Sequence, residues 1–316
     1  MGFKSETSNQ AGLEVVTLKN TDNNTQIQIL PDYGALWHGW VVEQNGKEIN
    51  LIDHYEDIDD IKENLKGPHK SANLSPFPCR LMEGKYTFKG KEYEFLKKDA
   101  DGNAIHGLLV DKPFRKIDTK ESDDCISISF IYEYRQEDSG YPFDYNCKVT
   151  YTLHEDNSLT LVTQVKNTGN EELPIVDGWH PYFKTGSKVN DCKLQFHAHQ
   201  MLEFDDKLIP TGKFLPYTKF LKARELGQEE IDNSFILDED AAQPVCTLQD
   251  AANNISIYIC PTESYPILQI YTPPHRESIA IETLSGAPDA FNNELGLTVL
   301  QAGEEKDFSV TYSVHF

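Results

Sequence analysis

Alternation of apolar and polar residues with a period of two is the feature of this sequence that most restricts its fold. In the C-terminal segment 307–316, DFSVTYSVHF, one side carries Phe308, Val310, Tyr312, Val314 and Phe316. The segments CISISFIYEY, CKVTYTL and SLTLVTQV alternate in the same way. Successive side chains of a strand point to opposite faces, so these segments are predicted to be half-buried β-strands.

Turn signals and the scarcity of helical patterns extend this prediction to the whole chain. Asn45-Gly46 lies between two apolar runs and Gly90 divides YTFKGKEYEF, which indicates two hairpins. Helical patterns are confined to 53–66 and to the short DAFNNEL, too few for alternating strands and helices. We predict an all-β fold, a large antiparallel β-sandwich with few short helices. It would form one domain over residues 1–316, with the polar residues 1–10 disordered.

Charge and hydropathy exclude several classes of partner. The chain of 316 residues has 51 acidic and 29 basic residues, a formal net charge of −22. This surface repels polyanions, which argues against nucleic acid and anionic membranes as partners. No apolar stretch approaches the roughly 20 residues that span a bilayer, and the first residues lack the apolar core of a signal peptide. A cytoplasmic protein is expected, with monomer and homodimer both left open.

The cysteine and histidine spacings do not predict a metal site. Six cysteines lie far apart without a CxxC pair, at positions 79, 125, 147, 192, 246 and 260. Free thiols are therefore expected. In FHAH, His197 and His199 share a strand face, but no further ligand pattern completes a metal site. Neither a metal nor another cofactor is predicted.

Two segments carry residues suited to proton transfer. In DGWHPYF, Pro181 disfavours a helical conformation for His180 and so aims its imidazole to one face of an extended segment. In SIAIETLSGAPDAFNN, Glu282 interrupts an apolar strand, and burial there would raise its pKa toward the range of a general base. A packed core histidine and an ion-paired strand glutamate are the structural alternatives.

Three more residues are candidates for holding a ligand. Arg80 follows several chain breakers in NLSPFPCRLMEG, His106 precedes Gly107, and Asp232 precedes the apolar run FIL. A guanidinium fork and an imidazole can donate to ligand oxygens, and a carboxylate can accept from hydroxyls. Surface solvation, a plain turn and a capping role are the respective alternatives.

The order of these motifs resembles that of the aldose 1-epimerase (galactose mutarotase-like) family. The resemblance runs from QIQILPDYGALWHGW to the final strand, and its most specific parts are HPYF and ET…PDAFNN. It implies a single β-supersandwich domain that binds a small-molecule sugar and needs no cofactor. His180 matches the family's general acid and Glu282 its general base, while Arg80, His106 and Asp232 match its substrate-holding residues.

The chain departs from the family pattern beside three of these residues. Cys79 stands where many members have Asn, Leu108 replaces a second glycine, and Trp179 replaces an Asn before the histidine. The acid–base pair is kept, so the departures bear on sugar contacts. Trp37, Trp179 and Tyr182 are candidates for stacking on a pyranose or for core packing.

The function implied is interconversion of the α and β anomers of an aldohexose by acid–base ring opening and reclosure. One alternative is an epimerase of hexose 6-phosphates, with Lys70, Arg115 or Lys184 as candidate phosphate ligands. Another is a carbohydrate-binding or sugar-sensing protein without turnover. Pairing of an imidazole with a carboxylate favours hemiacetal opening over glycoside hydrolysis, which uses two carboxylates.

Overall fold

The structure is a computed structural model that describes residues 2–316, and it confirms the all-β prediction. The strands in chain order are β1 Phe3–Gln10, β2 Leu13–Asn20, β3 Gln26–Leu30, β4 Leu36–Gln44, β5 Lys47–Asn50, β6 Arg80–Leu81, β7 Lys85–Phe88, β8 Lys91–Glu94, β9 Ala104–Ile105, β10 Arg115–Glu121, β11 Cys125–Tyr134, β12 Tyr145–His154, β13 Leu159–Asn167, β14 Leu173–Ile175, β15 Gly178–Trp179, β16 Tyr182–Phe183, β17 Lys193–Phe196, β18 Ala198–Phe204, β19 Pro210–Pro216, β20 Arg224–Glu225, β21 Asp232–Leu237, β22 Cys246–Asp250, β23 Ile255–Pro261, β24 Ile267–Tyr271, β25 Ile279–Leu284, β26 Thr298–Leu300 and β27 Glu305–His315.

Three large antiparallel sheets make up most of the fold. The first contains β1 to β5 in chain order, and the second has nine strands in the order β10-β11-β12-β13-β27-β23-β22-β17-β20. The third has the order β15-β25-β24-β21-β18-β19, with β16 also paired to β25. Three strand pairs, β6-β9, β7-β8 and β14-β26, complete the set. The predicted hairpins at Asn45-Gly46 and Gly90 are β4-β5 and β7-β8.

The two predicted helical segments form shorter helices than their sequence patterns cover. Helix α1 is Ile58–Asn64, and its first backbone N–H groups are capped by the Asp57 carboxylate. Helix α2 is Ala290–Asn293, a single turn within DAFNNEL.

Large aromatic side chains join the three sheets. Trp37 and Trp40 on β4, Phe183 on β16 and Tyr312 on β27 lie within ring-centroid distances of 5.0–6.0 Å, and all are fully buried. As predicted, β27 buries its residues from Phe308 to Val314 at every second position, whereas Phe316 is exposed because it follows the last paired residue.

The prediction that residues 1–10 are disordered is wrong for the described part. Residues 3–10 form β1, which pairs with β2 along its full length, whereas Met1 lies outside the described residues. Most β1 side chains are polar and exposed, and Phe3 is buried. Backbone hydrogen bonds order this edge strand although it has little apolar alternation, and a polar edge strand resists pairing with other chains.

The cysteines have the free-thiol state that the sequence predicts. All six cysteines are free thiols, although Cys125 and Cys260 are only partly buried. His199 pairs with Asp238, and within residues 2–316 no group of three His, Cys, Asp or Glu side chains could hold a metal ion. No helix in that range is long and apolar enough to cross a bilayer.

A buried carboxylate fixes the segment that leads into β15. Asp177 is completely buried and accepts hydrogen bonds from the Tyr265 hydroxyl at 2.6 Å and from the Asn73 amide at 3.0 Å. Its backbone N–H donates to Ser285 Oγ at 2.8 Å. This network connects the segment before β15 to the end of β25, the strand on which Glu282 lies. It therefore stabilises the relative position of these two strands.

Asp177→Ala is expected to lower the free energy of unfolding by about 2–5 kcal/mol, because it leaves the buried Tyr265 hydroxyl without its acceptor and removes one of the acceptors of the Asn73 amide. Denaturant unfolding measures this loss. Asp307→Ala is the control, since within residues 2–316 the carboxylate of exposed Asp307 accepts a hydrogen bond only from the half-buried Gln164. Equal midpoints for the two variants would contradict the structural importance of the network.

Candidate active site

One cavity of about 380 Å³ is lined by the candidate residues, which are spread over about 200 positions of the sequence. Its lining includes all five of them, namely Arg80, His106, His180, Asp232 and Glu282. We call this cavity the inner cleft. It opens over the face of the third sheet, and its size suits a small organic ligand.

His180 lies where one edge of the third sheet is interrupted. It falls between β15 and β16, which both pair with β25, and Pro181 follows it. The His180 backbone N–H donates to Ala72 O at 3.1 Å, and its carbonyl accepts from Ser71 N at 2.9 Å. The extended conformation imposed before Pro181 and these two hydrogen bonds aim the imidazole into the inner cleft.

Glu282 faces His180 across the strand pairing. On β25 it lies between the buried residues Ile281 and Thr283, and its Oε1 is 3.3 Å from His180 Nε2. Both side chains are almost completely buried, at 2% exposure for Glu282 and 5% for His180. Glu282 Oε2 and His180 Nδ1 have no hydrogen-bond partner among the described residues. Buried polar atoms usually have a hydrogen-bond partner, so these two atoms are open to one from a ligand in the inner cleft.

Burial disfavours the charged form of each member of this pair. It lowers the pKa of His180 to about 3, with the nearby His69 adding to the effect, and it raises the pKa of Glu282 well above its usual range. The roles of general base and general acid that the family resemblance implies correspond to an ionised carboxylate beside a cationic imidazole. The buried site instead favours a protonated carboxyl beside a neutral imidazole, which carries the same number of protons.

The tautomer of His106 is fixed by its backbone surroundings. Cys79 N donates to His106 Nδ1 at 3.2 Å, so Nδ1 is the acceptor and Nε2 carries the proton. Burial lowers the pKa of His106, with His69 and His180 adding to the effect, so the ring is neutral near neutral pH. The side chain of His106 therefore offers an N–H donor to a ligand.

Arg80 is held beside His106 by a short strand pair. Arg80 on β6 pairs with Ile105 on β9, the residue before His106. Among residues 2–316 the guanidinium makes no hydrogen bond or ion pair with another side chain, which leaves its donors for a ligand. Its charge is close enough to counteract the burial that raises the pKa of Asp232.

Sequence reasoning missed Gln269, which orients Asp232. Gln269 on β24 is the cross-strand partner of Glu282, and its amide donates to Asp232 Oδ1 at 2.7 Å. Ser234 Oγ in turn donates to Gln269 Oε1 at 2.5 Å. Gln269 is a polar residue within the apolar strand ILQIY, just as Glu282 is within SIAIETL. The same sequence pattern could therefore have identified Gln269.

Of the three aromatic residues considered for stacking, Tyr182 alone lines the inner cleft. Its ring stacks on that of His180 at 4.9 Å with an interplanar angle of 5°. Trp37 and Trp179 are fully buried in the core, and the Trp179 indole donates to Thr163 Oγ1 at 3.0 Å. The alternation of the strand sends Trp179 inward and His180 into the inner cleft.

The three basic residues considered for a phosphate do not converge on the inner cleft. Lys70 lines it but is paired with Asp53 at 2.9 Å. Arg115 lies on β10 of another sheet, near Glu133, and Lys184 is not part of the cleft lining.

Comparisons with known proteins agree with the fold and with the family resemblance of the sequence. The family model for aldose 1-epimerase matches residues 14–313. The aldose 1-epimerase of Streptococcus thermophilus is 24% identical, with 95% of this chain and 93% of the relative covered. The maltose epimerase of Levilactobacillus brevis is 24% identical, with 80% and 78% covered.

A galactose mutarotase-like protein from Clostridium acetobutylicum has the same fold, with a TM-score of 0.87 at 18% identity over 100% of this chain and 98% of the other. The chain is thus a galactose mutarotase-like β-sandwich protein. It belongs to the aldose 1-epimerase family, whose members are isomerases that act on carbohydrates.

Gly107 allows the backbone after His106 to approach Ser75. Its φ is +70°, and a Cβ at this position would lie 2.2 Å from the Ser75 carbonyl oxygen. We expect Gly107→Ala to cost more than about 3 kcal/mol of folding stability and to displace His106. Gly46→Ala is the matched control, because Gly46 has a φ of +73° with open space around it. It should cost only the roughly 1–2 kcal/mol of the left-handed conformation.

Denaturant unfolding of the two alanine variants gives the comparison. Equal losses of stability at positions 107 and 46 would show that the contact with Ser75 does not constrain the site.

Proposed function

We propose that this protein is an aldose 1-epimerase that interconverts the α and β anomers of a neutral aldohexose, with Glu282 as general base and His180 as general acid. The observation that carries the proposal is the buried contact of 3.3 Å between them, in which each side chain keeps one unpartnered polar atom. The membership of the family supports the reaction class.

Ring opening needs one proton removed and one delivered. Glu282 accepts the proton of the C1 hydroxyl while His180 Nε2 donates its proton to the ring oxygen, so the C1–O5 bond breaks and C1 becomes an aldehyde carbon. Rotation about C1–C2 presents the other face of the aldehyde. In reclosure His180 takes the proton back from the O5 hydroxyl and Glu282 returns its proton to O1, which restores both groups.

The charge state favoured by burial matches the middle of this cycle. After ring opening, Glu282 is protonated and His180 is neutral, the arrangement that the low-dielectric site prefers. Ring opening therefore removes two buried charges from the protein. The burial of the pair stabilises the state with the open-chain sugar relative to the state that precedes it.

The remaining residues would hold the sugar without taking part in proton transfer. The Arg80 guanidinium and His106 Nε2–H are donors for sugar oxygens, and Asp232 is an acceptor for a hydroxyl. No step in this mechanism requires a cofactor. We further propose that the chain acts as one domain, since one buried cluster contains residues from Phe3 to Val314. A cytoplasmic location stays a prediction from the sequence.

The two alternative functions have less support. A hexose 6-phosphate would need cationic groups for a dianion, and Lys70 is already paired with Asp53. A protein that only binds sugar would not need an imidazole and a carboxylate in contact at the bottom of the cleft.

Glu282→Gln and His180→Gln are each expected to lower the catalysed rate of anomer equilibration by at least about 100-fold, because each removes one proton-transfer group. Polarimetry of freshly dissolved α-D-glucose and α-D-galactose measures this rate above the spontaneous one. Glu305→Gln and His199→Gln are the matched controls, as both residues are exposed and remote from the inner cleft. Parental rates in the Glu282 and His180 variants would refute the assigned roles.

The pH dependence should show a broad plateau. Adding a proton to the neutral pair requires protonation of His180, whose pKa burial lowers to about 3, and removing one requires ionisation of Glu282, whose pKa burial raises. Both limbs of the bell-shaped profile thus move away from neutral pH. Values of kcat/KM, corrected for the spontaneous reaction, should show no inflection near the ordinary histidine pKa of about 6.5. An inflection there would mean that His180 titrates as a solvated histidine.

A further inference from the structure

The sequence motif PDAFNN adjoins the inner cleft, and the proposed mechanism gives it no role. It covers residues 288–293 and leads from the end of β25, the strand of Glu282, into helix α2. Pro288 lines the inner cleft, and Asp289 beside it is buried at 6% exposure. Asp289 is not part of the lining, so its contacts with the protein decide what it does.

Asp289 is hydrogen-bonded to the strand that carries Arg80. Its backbone N–H donates to Arg80 O at 2.8 Å, and its carboxylate oxygen Oδ1 accepts from Met82 N at 2.9 Å. On its other side, Arg80 pairs with Ile105 on β9. The backbone of Arg80 is therefore held from both sides, by β9 and by Asp289.

Only the backbone fixes the place from which the Arg80 side chain extends. Arg80 lines the inner cleft, and among residues 2–316 its guanidinium makes no hydrogen bond or ion pair with another side chain. An arginine side chain has many rotamers, and ordering it costs conformational entropy. A shift of the Arg80 backbone would therefore move the guanidinium relative to a bound sugar, and displacements of about 1 Å are enough to weaken an enzyme's action on its substrate.

The carboxylate of Asp289 does not serve the role that its position suggests. Asp289 is the residue before helix α2, where an aspartate commonly accepts from the first N–H groups of its own helix. Its side chain makes no such bond, and it accepts from Met82 N instead. Asp289 has a φ of +60°, and Cys79, the residue before Arg80, has a φ of +54°. Left-handed backbone on both sides of this contact agrees with a functional constraint.

The rest of the motif keeps Asp289 in place. The Asn292 amide donates to Asp289 Oδ1 at 2.8 Å and to a backbone carbonyl on β7 at 2.9 Å. The Phe291 ring anchors α2 in the core, with ring-centroid distances of 4.9 Å to Tyr86 and 5.8 Å to Phe77. These contacts hold the carboxylate oxygen of Asp289 against the backbone of β6.

The segment from Glu282 to the motif is itself fixed by backbone hydrogen bonds. Ser285 N donates to Asp177 O and Ala287 N donates to Leu295 O, both at 2.9 Å. The proposed general base and the residue that holds the Arg80 backbone therefore lie on one short, anchored segment. Its geometry links the position of the carboxylate to that of the guanidinium.

We infer that Asp289 is a positioning residue for Arg80. Through Arg80 O and Met82 N it sets where the guanidinium lies relative to Glu282, and so where a bound sugar is held over the proton-transfer pair. Asp289 itself contacts no substrate in this arrangement. The kinetic consequence rests on the proposed function, because it requires that Arg80 binds the sugar whose ring is opened.

Three variants separate positioning from folding. Asp289→Gly removes the carboxylate, keeps the backbone N–H, and fits the positive φ. Asp289→Asn keeps an oxygen that can accept from Met82 N, so it is the conservative variant. Asp250→Ala is the matched control for the loss of a buried carboxylate. Asp250 is 1% exposed, accepts from a threonine hydroxyl and an asparagine amide, each at 2.8 Å, and is not part of the cleft lining.

Polarimetry of freshly dissolved α-D-glucose and α-D-galactose gives kcat and KM above the spontaneous rate. Asp289→Gly should raise KM about fivefold or more while kcat changes less than about threefold, because Arg80 holds the sugar without taking part in proton transfer. Asp289→Asn and Asp250→Ala should keep KM within about twofold of the parental value. A parental KM in Asp289→Gly would overturn the inference and leave the epimerase function standing.

A double-mutant cycle shows whether Asp289 acts through Arg80. Arg80→Ala removes the guanidinium, so adding Asp289→Gly to it should change KM by less than about twofold. The same rise in KM in both backgrounds would mean that Asp289 acts on the site by another route, which also overturns the inference.

Hydrogen exchange tests the contact without relying on activity. Mass spectrometry of residues 79–85 should show faster amide exchange in Asp289→Gly than in the parent and parental exchange in Asp289→Asn, because Met82 N–H loses its acceptor only in the first. Unchanged exchange in Asp289→Gly would refute the positioning role. If no sugar is equilibrated faster than spontaneously, the proposed function fails, whereas the exchange result still decides whether Asp289 holds the Arg80 segment.

Discussion

The buried contact between His180 and Glu282 is the interaction on which the rest of the site depends. Two ionisable side chains at 5% and 2% exposure are costly to bury unless each compensates the other. The register of β25 makes this compensation possible, because β15 and β16 both pair with it and leave His180-Pro181 between them. Because the pairing with β25 is interrupted at His180-Pro181, the His180 imidazole can point toward Glu282 on β25. The Asp177 network and the hydrogen bonds to Ser71 and Ala72 then keep that break in one conformation.

The same burial explains how one pair of residues could serve both directions of the proposed anomerisation. In a solvated site the ion pair would be strongly favoured, and the protein would have to remove hydration from both charges during ring opening. Within this cleft the neutral and charged tautomers differ only by the position of one proton between Nε2 and Oε1, and burial moves the balance toward the neutral form. Ring opening and ring closure move the same protons in opposite directions. Such a reaction proceeds fastest when neither protonation state of the pair has a much lower free energy than the other.

The sequence allowed the fold class and the five cleft-lining residues to be predicted, but not the contacts among them. Alternating segments identify strands because burial of one face is a local pattern, and the acidic residue inside the apolar run SIAIETL marks Glu282. Strand β1 was missed because its order comes from pairing with β2 rather than from its own side chains. The position of Gln269 beside Glu282 depends on the register between β24 and β25, which no local pattern specifies. The preference for neutral forms of the pair follows from depth of burial, which also appears only in three dimensions.

Hydrogen-bond satisfaction distinguishes Ser234, Gln269 and Asp232 from the pair of His180 and Glu282. Ser234 donates to Gln269, which donates to Asp232, so each of these polar groups on β21 and β24 already has a protein partner. One strand further on, Glu282 keeps an unpartnered oxygen, and His180 keeps an unpartnered nitrogen. The protein provides hydrogen-bond partners for the neighbouring polar groups but not for these two atoms. A buried polar atom without a partner lowers the stability of the fold. At Glu282 and His180 this cost falls on the two groups proposed to exchange protons with a ligand, where a catalyst would gain from it.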